Sequence, residues 1–142
     1  MAYSTDTLSR RIYQIHIKNL KTGELYPETL EQTTGSVTWA NDNKTLFYVK
    51  QDLKTLRSFQ IYAHKIGTNQ REDVLVYEET DETFYCSVYK SKSENYVIIN
   101  SSSTLSDEYR IINANEPQNT PILFQKRERG LEYSIYHHNN GF

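Results

Sequence analysis

Residues Gly35–Glu79 read GSVTWANDNKTLFYVKQDLKTLRSFQIYAHKIGTNQREDVLVYEE, four short β-type runs separated by turns. Ser36–Ala40 is the first run and Asn41-Asp42-Asn43-Lys44 the first turn, built from residues that bond their own backbone or tolerate positive φ. Thr45–Gln51 follows, then Arg57–Ile66 closed by Gly67-Thr68-Asn69, then Asp73–Glu79. The pattern predicts a four-stranded antiparallel sheet. Such a sheet has two faces to bury and cannot bury both alone, so it implies neighbours of its own kind.

Working outward, Tyr85–Ser91, Tyr96–Ser101, Glu108–Asn113 and Pro121–Lys126 repeat the order, with turns at 92–95, 105–107 and 115–117. Laying Trp39 on Tyr89, and Gln60-Ile61-Tyr62 on Tyr109-Arg110-Ile111, gives a repeat of roughly 50 residues, in the range of propeller blades. Tyr133–His137 begins a further copy. Upstream, Ile12–Lys18 reads as a third strand and Leu25–Leu30 as a weak fourth, placed at an edge or in a loop by Pro27, which cannot donate to a ladder. The expected divisions are 1–34 (end of one blade), 35–82 and 83–128 (complete blades) and 129–142 (start of the next). The fold class is all-β, about two to three four-stranded antiparallel blades of a propeller.

Alternation along these runs predicts burial of Trp39, Phe47, Val49, Ile61, Val74, Val88, Val97, Ile99, Ile111 and Leu123. Twelve tyrosines and five phenylalanines beside one methionine favour strands over helices. No apolar run approaches the roughly 18 residues of a membrane span, and the N-terminus lacks a signal peptide's charged and apolar regions. These features imply a soluble, intracellular chain.

Sixteen basic and eighteen acidic side chains are scattered along the length, for a formal charge of −2. A nucleic-acid footprint needs clustered Lys and Arg, and the densest group, Lys126-Arg127-Arg129, is interrupted by Glu128 and reads as a solvated turn. Cys86 is the one cysteine, so neither an internal disulfide nor a cysteine-based zinc site can form; in its apolar strand it reads as a buried, inert thiol. There is no G-x-S-x-G nucleophile elbow and no phosphate-cradling glycine loop. His137 and His138 are adjacent and would face opposite ways in a strand. His16 and His64 occupy equivalent third-strand positions, which implies matching packing more than a metal site. The sequence assigns no catalytic, cofactor-binding or metal residue. Glu78, Glu79, Asp81 and Glu82 cluster at the link between two copies; consecutive acids usually mark a solvated turn, and their field could also steer basic peptides.

TLFYVKQDLKTLRSFQIYAHKIGT, DVLVYEETDETFYCSVYKSKSENYVIINSSSTLSDEYRIINAN and RERGLEYSIYHHN resemble the propeller of the oligopeptidase B (protease II) branch of the prolyl oligopeptidase family of serine peptidases. AYSTDTLSRRIYQIHIKNLKTGE resembles the preceding blade, so the likeness covers essentially the whole chain. It implies a seven-bladed propeller that admits only short peptides to an α/β-hydrolase domain, which carries a Ser, Asp and His triad and cuts after Arg or Lys in the cytoplasm. That domain is absent from these residues, so no catalytic residue transfers. The implied partners are short basic peptides and the hydrolase domain, with no nucleic acid and no membrane. Exposed end faces of an excised run of blades would favour self-association as a dimer. The competing reading is a stand-alone β-repeat module that binds a protein or carbohydrate.

Overall fold

The computed structural model describes residues 1–6, 12–125, 127 and 135. Strands β1 (Ala2–Thr5), β2 (Tyr13–Lys18), β3 (Leu25–Trp39), β4 (Thr45–Gln51), β5 (Ser58–Lys65) and β6 (Val74–Glu78) form one antiparallel sheet in chain order. A second sheet holds β7 (Tyr85–Lys90), β8 (Tyr96–Ser102), β9 (Asp107–Asn113) and β10 (Ile122–Gln125), also paired consecutively and antiparallel. The repeat is visible in the register, where Ile61 pairs with Val49 and Arg110 pairs with Ile99. The first turns of the two units match as well. Asp42 Oδ1 accepts from the N–H groups of Lys44 and Thr45, both at 2.9 Å, and Asn43 takes φ 57°; Glu94 takes φ 62° at the corresponding place.

The central strands β4 and β8 carry apolar residues on both faces, because each is packed on both sides. Phe47 and Val49 of β4 point into a core shared with Cys86, Val88, Val97, Ile99 and Ile112 of the second sheet. Leu46 and Tyr48 of the same strand point the other way, against Ile15, Ile17 and Leu30. In β8, Ile98 likewise faces away from the shared core and packs with Tyr109 and Ile135. Apart from Ile135, the run Tyr133–His137 lies outside the described residues.

In its strands, core and histidines the structure departs from the sequence reading in three ways. Leu25–Leu30 and all of Ser36–Ala40 but Ala40 are parts of one 15-residue strand, β3, whose first part pairs with β2 and whose last part pairs with β4. Pro27 is tolerated because that stretch of β3 pairs on one side only. Among the expected core residues, Phe47, Val49, Ile61, Val88, Val97 and Ile99 are buried and Trp39 and Ile111 half-buried, but Val74 (63% exposed) and Leu123 (42%) are not. Both lie on the last strand of a sheet, where one neighbour is missing and a register shift interrupts the pairing. His16 and His64 do not share packing. His16 is half-buried, stacked on Tyr3 and bonded to Thr5 Oγ1 at 3.1 Å, whereas His64 is fully buried between carboxylates.

Burial decides which truncations matter. Ile99→Ala, in the doubly packed strand, is expected to lower unfolding free energy by about 2–5 kcal/mol through lost transfer energy and a cavity. Val74→Ala should change it by less than about 0.5 kcal/mol. Urea unfolding of the two variants checks the ranking; equal losses would place β6 in the core.

Candidate functional site

The second sheet follows the first through residues 79–84, and the side chains that hold this crossing form a cluster of polar and charged groups. A link that turns sharply exposes backbone carbonyls with no ladder partner. Arg57, at the entry to β5, satisfies three of them: Nε donates to the Phe84 carbonyl at 2.9 Å, and Nη2 to those of Glu79 (2.8 Å) and Asp81 (2.6 Å). A guanidinium suits this task because its donors are fixed in a planar fork.

Glu79 itself turns inward. It is 4% exposed and accepts from Ser101 Oγ, from Arg127 Nη2 and from Tyr77 Oη at 3.2 Å. Arg127 also donates to both carboxylate oxygens of Glu108, with Nη2–Oε1 2.9 Å and Nε–Oε2 3.2 Å, and its backbone N–H adds a bond of 2.9 Å to Oε2. Arg110 completes the Glu108 shell at 2.6 Å. The two guanidinium groups lie over aromatic rings, Arg127 at 3.9 Å from the Phe84 centroid and Arg110 at 4.1 Å from that of Tyr77. Burial by itself raises the pKa of Glu108, but the bonds from Arg127 and Arg110 outweigh it and bring the carboxyl down to about 2. Glu79 is lowered in the same manner, burial being outweighed by Ser101 and Arg127.

This geometry corrects one reading and divides another. Arg127 belongs to a buried ion-pair network and not to a solvated turn; Lys126, Glu128 and Arg129 lie outside the described residues. Of the acidic cluster, Glu79 is consumed by that network. Glu78 is exposed and accepts from Gln60 at 2.6 Å, Asp81 is exposed and caps the N–H and hydroxyl of Thr83, and Glu82 is exposed. Glu82 lines a cleft of about 270 Å³ with Asp52, Arg57, Phe59 and Tyr85. A larger cleft, about 450 Å³, lies between Val74–Val76 and the segment Pro117–Pro121.

Sequence reasoning missed the Arg57 and Arg127 contacts, because they join residues 19 to 50 positions apart with no local spacing to betray them. Among the described residues no group of three or more His, Cys, Asp or Glu is placed to hold a metal ion. The Cys86 thiol is pushed up to about 12, first by burial and then by the Glu79 charge.

The profile of the prolyl oligopeptidase N-terminal beta-propeller domain matches residues 1–142. The chain belongs to the prolyl oligopeptidase family. Within it, the sequence is 42% identical to dipeptidyl aminopeptidase BI of Pseudoxanthomonas mexicana over 137 residues, 96% of this chain and 19% of that protein. It is 32% identical to protease 2 of Moraxella lacunata, covering 88% of this chain and 18% of the relative. Oligopeptidase B from Leishmania major superposes with a TM-score of 0.92 at 30% identity, over 97% of this chain and 19% of that one. The described residues are therefore part of a propeller from this family, about a fifth of the length of these relatives.

Two outcomes follow from the crossing. Both carboxylates are depressed, so their stabilisation is complete above the ordinary glutamate range, near pH 4.3, and is lost as pH falls through their lowered folded values, which for Glu108 is about 2. Urea midpoints should therefore drop steeply between those limits in the wild type, and less steeply in Arg127→Gln, which should also be weaker at pH 7. An unchanged acid slope would remove the network from the stability account. Cys86 should resist thiol-specific reagents at pH 8 in the native state and react on unfolding; rapid native labelling would contradict its placement.

Proposed function

We propose that this chain is a non-catalytic section of the propeller of an oligopeptidase B-like serine peptidase, and that it limits access to a hydrolase domain carried elsewhere in the protein. The supporting observation is the match along residues 1–142 to the family's propeller domain, joined to coverage of only 19% of a relative with 42% identity. Residues 35–82 and 83–128 are each read as one blade. Stacked sheets with doubly buried central strands make a stiff wall, and such a wall excludes folded substrates by size. The substrates in this reading are short peptides cut after Arg or Lys in the cytoplasm, with the exposed carboxylates Glu78, Asp81 and Glu82 contributing to the attraction of basic peptides.

A second reading has its own observation. The relative with 42% identity is named a dipeptidyl aminopeptidase, a designation for release of N-terminal dipeptides. Steady-state kinetics on the full protein separate the two. Internal cleavage of short blocked peptides after Arg or Lys, with a folded protein of the same sequence content left intact, is the expected result. Comparable cleavage of the folded protein would overturn the access role. Hydrolysis confined to peptides with a free amino terminus would overturn the internal-cleavage specificity in favour of dipeptide release.

A further inference from the structure

The two junctions flanking β4–β6 are built differently. At the junction with the second sheet the polar groups are well bonded: Arg57 and Arg127 as described, and at the opposite end Asn41. Its Nδ2 donates to the Glu94 carbonyl (2.7 Å) and Asn115 Oδ1 (3.0 Å), and its Oδ1 accepts from Lys90 Nζ (2.8 Å). The junction with the first strands is different. Residues Leu25–Leu30 of β3 are paired with β2 alone, and the pairing of β3 with β4 is confined to Thr33 and Val37–Trp39. Between these stretches the backbone bends through two left-handed residues, Gln32 (φ 62°) and Gly35 (φ 88°). A side chain at Gly35 would meet Ser4 Oγ at 3.0 Å and the Tyr13 ring at 3.1 Å, so the bend is a tight fit.

Beyond the bend, the polar restraint between the first strands and residues 64–73 is a short latch. Gly67 N–H donates to Glu28 Oε2 at 2.7 Å, and the same oxygen lies 3.3 Å from His64 Nε2. Gln70 bonds the backbone of Glu31 twice, accepting from its N–H at 3.0 Å and donating to its carbonyl at 3.1 Å. Behind the latch, Asp73 is held by His64 Nδ1 and Tyr48 Oη, both at 2.6 Å. The side chains of Glu28, His64 and Asp73 are 4%, 0% and 1% exposed, yet Glu28 Oε1 and His64 Nε2 have no hydrogen-bond partner. A buried carboxylate with incomplete bonding is held at a cost that water would relieve. Charge desolvation thus works against closure, while the apolar contact of Ile15, Ile17 and Leu30 with Leu46 and Tyr48 works for it.

We infer that residues 13–31 open as one body about the bend at 32–35, restrained by the Glu28 and Gln70 latch, while the second junction stays closed. This inference concerns the fold and stands without the proposed function. Hydrogen exchange read by mass spectrometry on the full chain tests it. In Gln70→Ala, which removes a half-buried side chain bonded twice to Glu31 and once, at 3.3 Å, to Tyr48 Oη, amides of β2 and residues 25–31 should exchange together about tenfold faster, with residues 85–113 unchanged. Glu28→Ala should act on the same amides, and Gln70→Ala alone suffices should Glu28→Ala fail to fold. Glu31→Ala, whose side chain is outside the latch, should leave them unchanged. Equal acceleration in both sheets, acceleration in neither, or the same effect from Glu31→Ala would overturn the inference.

Discussion

A strand whose successive side chains point to opposite faces can be apolar at every position only if both faces are covered. β4 meets that condition: Phe47 and Val49 are buried against the second sheet, and Leu46 and Tyr48 against the first strands. All four side chains are essentially inaccessible. This double burial dictates the rest of the arrangement. It requires a neighbour on each side of every such sheet, and β8 repeats the demand by placing Val97 and Ile99 on one face and Ile98 on the other. Stacking of like units is the only economical solution for a chain that repeats one supersecondary pattern.

Apolar contact alone would let neighbouring sheets slide, since it is non-directional. Directional groups at the rims remove that freedom at the junction of the two sheets. Arg57 ties the crossing to β5, Arg127 ties it to β9, and Asn41 ties the turns at the other end. Net stabilisation from such partly buried pairs is modest, and their value lies in fixing the relative position of the sheets. Among the described residues, the junction with the first strands is held by the Glu28 and Gln70 bonds and encloses incompletely bonded carboxylate and imidazole groups, and it is the one inferred to open.

Much of this was legible from residues alone. Leu46–Val49 and Tyr96–Ile99 announce themselves as unbroken apolar stretches between turns of Asn, Asp and Ser, and they lie in the doubly buried strands. What escaped was anything set by the third dimension. Val74 and Leu123 carry the same local pattern as buried strand residues, and only their position on outermost strands exposes them. The continuity of β3 was hidden by Pro27 and Gly35, which read as breaks but sit where one edge is unpaired and where a left-handed turn is needed. The crossing network could not be foreseen either. Glu79 looked like one of several solvated acids, and its burial depends on Arg127, 48 residues away.

The family assignment and the packing meet at β4, whose part of the first sheet is an interior layer of a stack and not half of a two-layer sandwich. Methyl-to-methyl nuclear Overhauser contacts report this directly, because Leu46 and Val49 sit on opposite faces of the same strand. The account predicts contacts from Leu46 to Ile15, Ile17 or Leu30 and, in the same sample, from Val49 to Val88, Val97 or Ile99. Contacts from one of these residues with solvent exposure of the other would contradict it.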